Sequence, residues 1–154
     1  FDYLPAIYER LGANVLFNKI AMRPGSVTTV AEWNGKLLFG LSGNPSACYV
    51  GYELFVRPVV RTRLFSAKPY LKKAKATLGA DFPKPNPFTR FVRSRVEAVD
   101  GRLVVKPVGM DKSNIVTSLA FANALMVLPG GTRGFAVGDE VEVWLLDDDE
   151  GSSE

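Results

Sequence analysis

Phe39-Gly40-Leu41-Ser42-Gly43-Asn44-Pro45-Ser46-Ala47 is the stretch on which the fold turns. It closes the run Lys36 to Leu41, which is apolar on both faces, as in a buried strand covered by helices on each side. Asn44 is a good N-cap, and Pro45 sits at the first helical position, where a missing N–H costs nothing. The helical stretch that follows reaches about Phe65, with Pro58 placed to kink or divide it. A glycine-containing loop feeding a capped helix aims free N–H groups and the positive end of the helix dipole at one point, which suits an anion. In open α/β sheets ligands also bind beyond the carboxyl ends of strands. The same punctuation joins many ordinary strands to helices with no ligand at all.

Upstream, Leu4, Ile7, Tyr8 and Leu11 have helical spacing, and Gly12 falls where a C-terminal cap belongs. Val15 to Met22 reads as a strand ended by Arg23-Pro24-Gly25. Ser26 to Trp33 reads as another, with Asn34-Gly35 as a hairpin turn into Lys36–Leu41. This order predicts the end of an α/β layer structure.

Downstream, Lys68, Lys72, Lys73 and Lys75 crowd together as a linker or an edge strand, and Pro83, Pro85 and Pro87 form a connector. Phe88 to Val99 and Arg102 to Val108 are predicted partner strands around the Asp100-Gly101 turn. Ser113 to Ala122 is a predicted short helix ended near Asn123. Ala124 to Leu128 is a predicted buried strand, and Glu140 to Leu146 alternates as a half-exposed one. This half reads as a small, mostly β unit. The tail ending in Glu154 is polar and acidic and reads as a frayed end.

The 154 residues, 47% hydrophobic and 23% charged, suit one ordinary domain or two small ones. No apolar run is long enough to span a bilayer as a helix. With no histidine and one cysteine, Cys48, the chain excludes histidine-based triads, dyads and zinc sites, CxxC knuckles and internal disulfides. The lone cysteine suits a reducing cytosol, hence a cytoplasmic protein. Residues 1–66 carry seven Lys or Arg against four Asp or Glu, whereas residues 67–154 balance at twelve each. That basic excess favours an anionic small molecule over nucleic acid, for which there is no dense basic stripe. The opening Phe1-Asp2-Tyr3 has no initiator methionine and reads as the continuation of a longer chain.

Lys19 and Arg23, four apart, fall on one face of the predicted strand and could receive an oxyanion, or be two solvated cations. Asp2 by itself reads as a solvated terminal residue. Cys48, without a histidine to activate it, reads as a small buried apolar residue. Arg93 and Ser113 have no local motif that singles them out.

Taken together, Tyr3-Leu4-Pro5, Leu11-Gly12-Ala13, Lys19-Ile20-Ala21-Met22-Arg23-Pro24-Gly25, Phe39 to Ala47, Glu53 to Pro58, Ser118 to Leu125 and Gly138 to Val143 resemble the molybdopterin molybdenumtransferase family. That family includes the C-terminal domain of gephyrin. Order and spacing agree over nearly the whole chain. The resemblance implies the C-terminal portion of a longer, homodimeric protein. Residues 1–66 would be the second half of a three-layer α/β domain like that of molybdopterin adenylyltransferases. Residues 67–147 would be a small barrel-like β domain, and residues 148–154 an acidic tail. It also implies insertion of molybdate into adenylylated molybdopterin with release of AMP, a divalent cation such as Mg²⁺, and a molybdopterin adenylyltransferase as a possible partner.

By position, Asp2 would handle cation or molybdate. Lys19, Arg23, Pro24, Gly25, Ser42, Gly43, Asn44, Pro45, Ser46, Arg93 and Ser113 would bind substrate. Arg23 stands where lysine is commoner, and Ser42 replaces the first proline of the family's Pro-Gly-Asn-Pro loop. Such a piece is expected to be inactive alone. The rival expectations are a non-catalytic interaction module, since gephyrin binds receptor peptides through this region, and a divergent paralogue with an altered loop.

Overall fold

A computed structural model describes residues 3–109, 120–147 and 150–154. Helix α1 (Leu4–Arg10) buries Tyr8, and Gly12, at φ 65°, closes it. Gly12 N–H bonds the Glu9 carbonyl at 3.0 Å and Ala13 N–H the Tyr8 carbonyl at 2.9 Å, a left-handed helix stop that glycine adopts without a Cβ penalty. Strands β1 (Asn14–Asn18), β3 (Thr29–Trp33) and β4 (Lys36–Gly40) form an antiparallel sheet in the order β1-β3-β4. Asn34 and Gly35 both have positive φ, as the Asn-Gly turn requires.

The expected strand Val15–Met22 is broken. Lys19 takes φ 78°, its N–H bonds the Thr28 carbonyl at 3.1 Å, and the chain turns out of the sheet. It re-forms as the two-residue β2 (Met22–Arg23), paired in parallel with β6 (Thr89–Val99) of the second half. Lys19 and Arg23 are therefore not on one face of one strand. The expected double-sided burial of Lys36–Leu41 also fails. Strand β4 is the edge of its sheet, and of its residues only Gly40 is buried.

Helix α2 (Pro45–Gly51) passes through a π-helical turn, Tyr52–Val56, into α3 (Arg57–Arg63). Pro58 has no N–H, and its ring collides with the carbonyl four residues back in regular α geometry. The helix widens by one residue just before it, with Arg57 N–H bonding the Tyr52 carbonyl five positions back. Glu53, nearly buried, meets Arg57 at 2.7 Å.

Beyond the linker, β5 (Lys72–Leu78), β6, β7 (Arg102–Pro107), β8 (Ala124–Leu128) and β9 (Glu140–Leu145) close into a ring, β6-β7-β5-β9-β8-β6. This is a five-stranded barrel on the end of an α/β segment. The Lys-rich stretch supplies β5, an interior member of the wall paired on both sides, rather than a linker or an edge. Closure depends on β6, whose first part pairs with β8 (Arg90 to Ser94) and whose second part pairs with β7 (Ser94 to Val99). Where β8 stops, Asn123 continues its role. Its side chain accepts from Val96 N–H at 2.7 Å and donates to the Val96 carbonyl at 3.0 Å.

The barrel core is Leu78, Val105, Ala124, Met126, Leu128 and Val143, all fully buried, with Ala76, Phe82, Val96 and Val141. A second cluster, Val50, Leu71, Leu125 and Leu146, packs α2 against the outside of the barrel. The boundary expected at residues 66–67 thus does not separate every strand, because β2 joins the barrel wall. The tail is not frayed throughout, since Tyr70 and Ser152 exchange backbone bonds of 3.0 and 2.8 Å and Gly151 is buried. The expected helix Ser113–Ala122 lies mostly outside the described residues, apart from a helical Ala120-Phe121.

Candidate functional site

Between β2 with the start of α2 on one side and the mouth of the barrel on the other lies a cleft of about 470 Å³. Arg23, Pro24, Gly25 and Ser26 line one side together with Ser46, while Phe82, Lys84, Arg90, Arg93 and the Pro107–Gly109 turn line the other. The Arg23–Pro24 bond is cis, and Gly25 has φ 93°. A Cβ on Gly25 would stand 2.9 Å from the buried Met22 side chain, so this tight exit from β2 requires glycine. Thr28 ties the bend by donating its hydroxyl to the Gly25 carbonyl at 2.8 Å.

Among the described residues the lining is electrostatically one-sided, with Arg23, Lys84, Arg90 and Arg93 and no carboxylate. Phenyl rings steer two of the cations: Arg23 lies 5.9 Å from the Phe88 centroid and Arg90 5.7 Å from that of Phe82. Burial disfavours the charged form of Arg93 and pushes its guanidinium below its ordinary value. The group stays protonated at neutral pH, because arginine ionises far above that range. A cation deprived of water gains more from an arriving anion than a hydrated one does.

The cleft collects Arg23, Pro24, Gly25, Ser46 and Arg93 of the predicted residues. Lys19 and the loop Ser42, Gly43, Asn44, Pro45 are not in its lining. Asp2 and Ser113 lie outside the described residues. The expectation that the start of α2 offers free N–H groups is overturned. Asn44 Oδ1 accepts from Ser46 N–H at 3.0 Å and Ala47 N–H at 3.3 Å, and Cys48 N–H bonds the Asn44 carbonyl. Ser42 Oγ accepts from Asn44 N–H at 3.2 Å, so this hydroxyl completes the loop internally.

Sequence reasoning missed Lys84 and Arg90. Lys84 stands inside the proline run read as a connector. Arg90 lies in a strand whose alternation gave no reason to prefer it. The signal that could have found Arg90 is its place in the pattern Arg90, Val92, Ser94, Val96, a charge extending an inward-facing row.

An anion-seeking cleft where an α/β segment meets a small closed barrel matches a two-part class. Residues 1–62 match the family profile "Probable molybdopterin binding domain", and residues 75–146 match "MoeA C-terminal region (domain IV)". The chain is 64% identical over 152 residues to a molybdopterin molybdenumtransferase of Bacillus subtilis, covering 99% of the chain and 35% of the relative. It is 51% identical over 154 residues to one of Staphylococcus aureus, covering 100% of the chain and 37% of the relative. A MoeA protein of Pyrococcus superposes with TM-score 0.77 at 26% identity, over 94% of this chain and 34% of that one. The chain belongs to the molybdopterin molybdenumtransferase family, and it spans about a third of the length of the curated relatives it matches.

Proposed function

We propose that this chain serves in molybdenum cofactor biosynthesis, as the part of a molybdopterin molybdenumtransferase that binds adenylylated molybdopterin and molybdate while the metal is inserted and AMP released. The observation that carries this reading is the cleft at the junction of the two matched regions, whose described lining holds Arg23, Lys84, Arg90 and Arg93 and no acid. Guanidinium groups meet phosphate and molybdate oxygens with paired N–H donors. Phe82 and Val92 supply apolar surface that a pterin would use.

The described residues do not fit a divalent cation. Among them no group of three or more His, Cys, Asp or Glu comes together, and the cleft offers cations where Mg²⁺ needs oxygen anions. Asp2, the residue expected to handle cation or molybdate, lies outside them. We place the site of action in the cytoplasm, in keeping with the free thiol of Cys48. A homodimer is the assembly the family resemblance implies, and the exposed Tyr3, Ile7, Leu11, Val15 and Leu16 are apolar surface that a second copy or the rest of a longer chain would cover. A molybdopterin adenylyltransferase is the partner that would supply the adenylylated substrate.

The test is a graft. The chain replaces the matching 152 residues of the Bacillus subtilis relative in a strain lacking that enzyme, and a molybdoenzyme activity is read. The expected result is restored activity, with Arg93→Ala in the graft lowering it by about tenfold or more, as loss of a charge-assisted contact would. A soluble graft without activity, or full activity with Arg93→Ala, would refute the reading. The 154 residues alone are expected to give no turnover above a protein-free control in cofactor reconstitution.

A further inference from the structure

The pairing of β2 with β6 sets two like charges side by side. Arg23 is the direct partner of Arg90, and residues in register on neighbouring strands project to the same face of a sheet. Both line the cleft, with Lys84 and Arg93 beyond them and no carboxylate among the lining residues. Like charges directly opposite one another repel, and no acidic side chain among the described lining residues lies beside this pair. Each guanidinium also lies within cation–π range of a phenyl ring, Arg23 at 5.9 Å from the Phe88 centroid and Arg90 at 5.7 Å from that of Phe82. Such a contact draws the cation toward the ring and leaves its N–H groups for a ligand.

Arg90 carries a second mark of an unfilled role. Its alternation partners Ser94 and Val96 are buried, with Val96 in the barrel core, so Arg90 stands at the mouth of the barrel just beyond that layer. Its Nε is buried without a hydrogen-bond partner among the described residues. A buried N–H of a cation with no acceptor is the group an incoming oxyanion relieves.

We propose that Arg23 and Arg90 form a two-guanidinium clamp for one tetrahedral dianion of the phosphate class, with Lys84 beside them. Arg90 and Lys84 thereby become ligand-binding residues in addition to those the family resemblance implies. The clamp rests on the reading of the cleft as a substrate site and deepens it. Two sources share the chemistry, the phosphoryl groups of the adenylylated pterin and free molybdate.

The test uses the 154-residue chain at low ionic strength, where exposed charges are least screened. Calorimetric titrations with sodium molybdate in one arm and sodium pyrophosphate in the other compare wild type, Arg90→Met and Arg90→Lys. Arg90→Met should lose about tenfold or more in affinity in each arm in which the wild type binds, and Arg90→Lys should keep part of it. Binding confined to one arm names the source, and binding in both supports a shared seat. Thermal unfolding separates ligand binding from a merely structural role. With the like-charge contact relieved, Arg90→Met should unfold no lower than wild type in anion-free buffer, and the rise in midpoint that the anion gives wild type should vanish. If Arg90→Met does not fold, Arg90→Lys carries the comparison through its weaker anion-dependent rise. The clamp is overturned by a wild type that binds neither probe, by unchanged affinity in the variants, or by a lowered midpoint with an undiminished anion response. A successful graft with a failed clamp rejects the clamp alone, whereas a failed graft with intact clamp binding rejects the molybdenumtransferase reading alone.

Discussion

The barrel and the three-stranded sheet solve the same problem of strand edges in opposite ways. The barrel closes on itself through β6, which pairs with β8 and then with β7, and its interior is filled by fully buried side chains. The sheet β1-β3-β4 has two unpaired edges within this stretch, which spans about a third of the length of its relatives. Strand β1 is exposed at four of five positions, and Leu16 and Val15 face solvent. Closure removes the free edges that an open sheet must have covered by something else. Within this stretch, folding free energy should therefore reside in the barrel.

That contrast is most directly broken by truncation in the two regions. Leu128→Ala, in the barrel core, should cost about 2–5 kcal/mol in urea unfolding, the range for leucine truncation in a core that cannot collapse. Leu16→Ala, on the bulged part of β1, should stay within about 0.5 kcal/mol. Equal costs would mean that the sheet is as tightly packed as the barrel. Hydrogen exchange should rank the regions the same way, with β8 and β9 amides slowest and β1 fastest.

The next largest effect lies where the barrel ring would otherwise gape. Asn123→Ala removes the two bonds to Val96 and leaves a buried N–H and carbonyl unpaired, at a cost of about 2–3 kcal/mol. A change under half a kcal/mol would show that water replaces the amide there. In the open region the matching test is the cap. Asn44→Ala frees the N–H groups of Ser46 and Ala47 and should cost about 1 kcal/mol, with Asn44→Ser recovering most of it. If anion binding improves in Asn44→Ala, those N–H groups are competent donors that the wild-type side chain withholds.

The smallest effect concerns the seam between the regions. Tyr49 packs against the cluster joining α2 to the barrel, and its hydroxyl is pushed above its ordinary value by burial, then by Glu53 and Asp147, with Arg57 opposing. A raised folded value leaves stability full below the unfolded tyrosine value of about 10. As pH rises past that point the unfolded chain ionises first, and stability falls until the folded residue ionises too. Tyr49→Phe should flatten part of this alkaline loss without altering stability near neutrality. Identical profiles up to pH 11 or so would place Tyr49 in solvent.

Much of this was legible in the sequence for local reasons. Asn34-Gly35 and Asp100-Gly101 require positive φ and adopt it, Asn44-Pro45 starts a helix, and Pro58 disturbs one. Ala124, Met126 and Leu128 are buried in the core of a closed ring, and Leu125 is buried on its outside against α2. What failed was non-local. Lys19 breaks a run that reads as one strand, and β2 then finds its partner in a segment that alternation alone could not assign to it. The cleft inherits that limit. Arg23 was legible as a cation able to receive an oxyanion, Pro24, Gly25, Ser46 and Arg93 came from family likeness, and Lys84 and Arg90 depend on pairings visible only in three dimensions. The loop and the start of α2 were read as a set of donors, yet Ser42 and Asn44 side chains take up the N–H groups of Asn44, Ser46 and Ala47.

Strand β2 also bears on how the molecule is made. Its strand partner β6 lies far downstream, so β2 leaves the ribosome seconds before β6 exists, at synthesis rates of ~5–20 residues per second. In that interval Met22, almost wholly covered in the finished fold, has no barrel wall to lie against. The ligand cleft is then among the last features a nascent chain completes, and a chaperone that holds exposed apolar segments would find its target at residues 20–23.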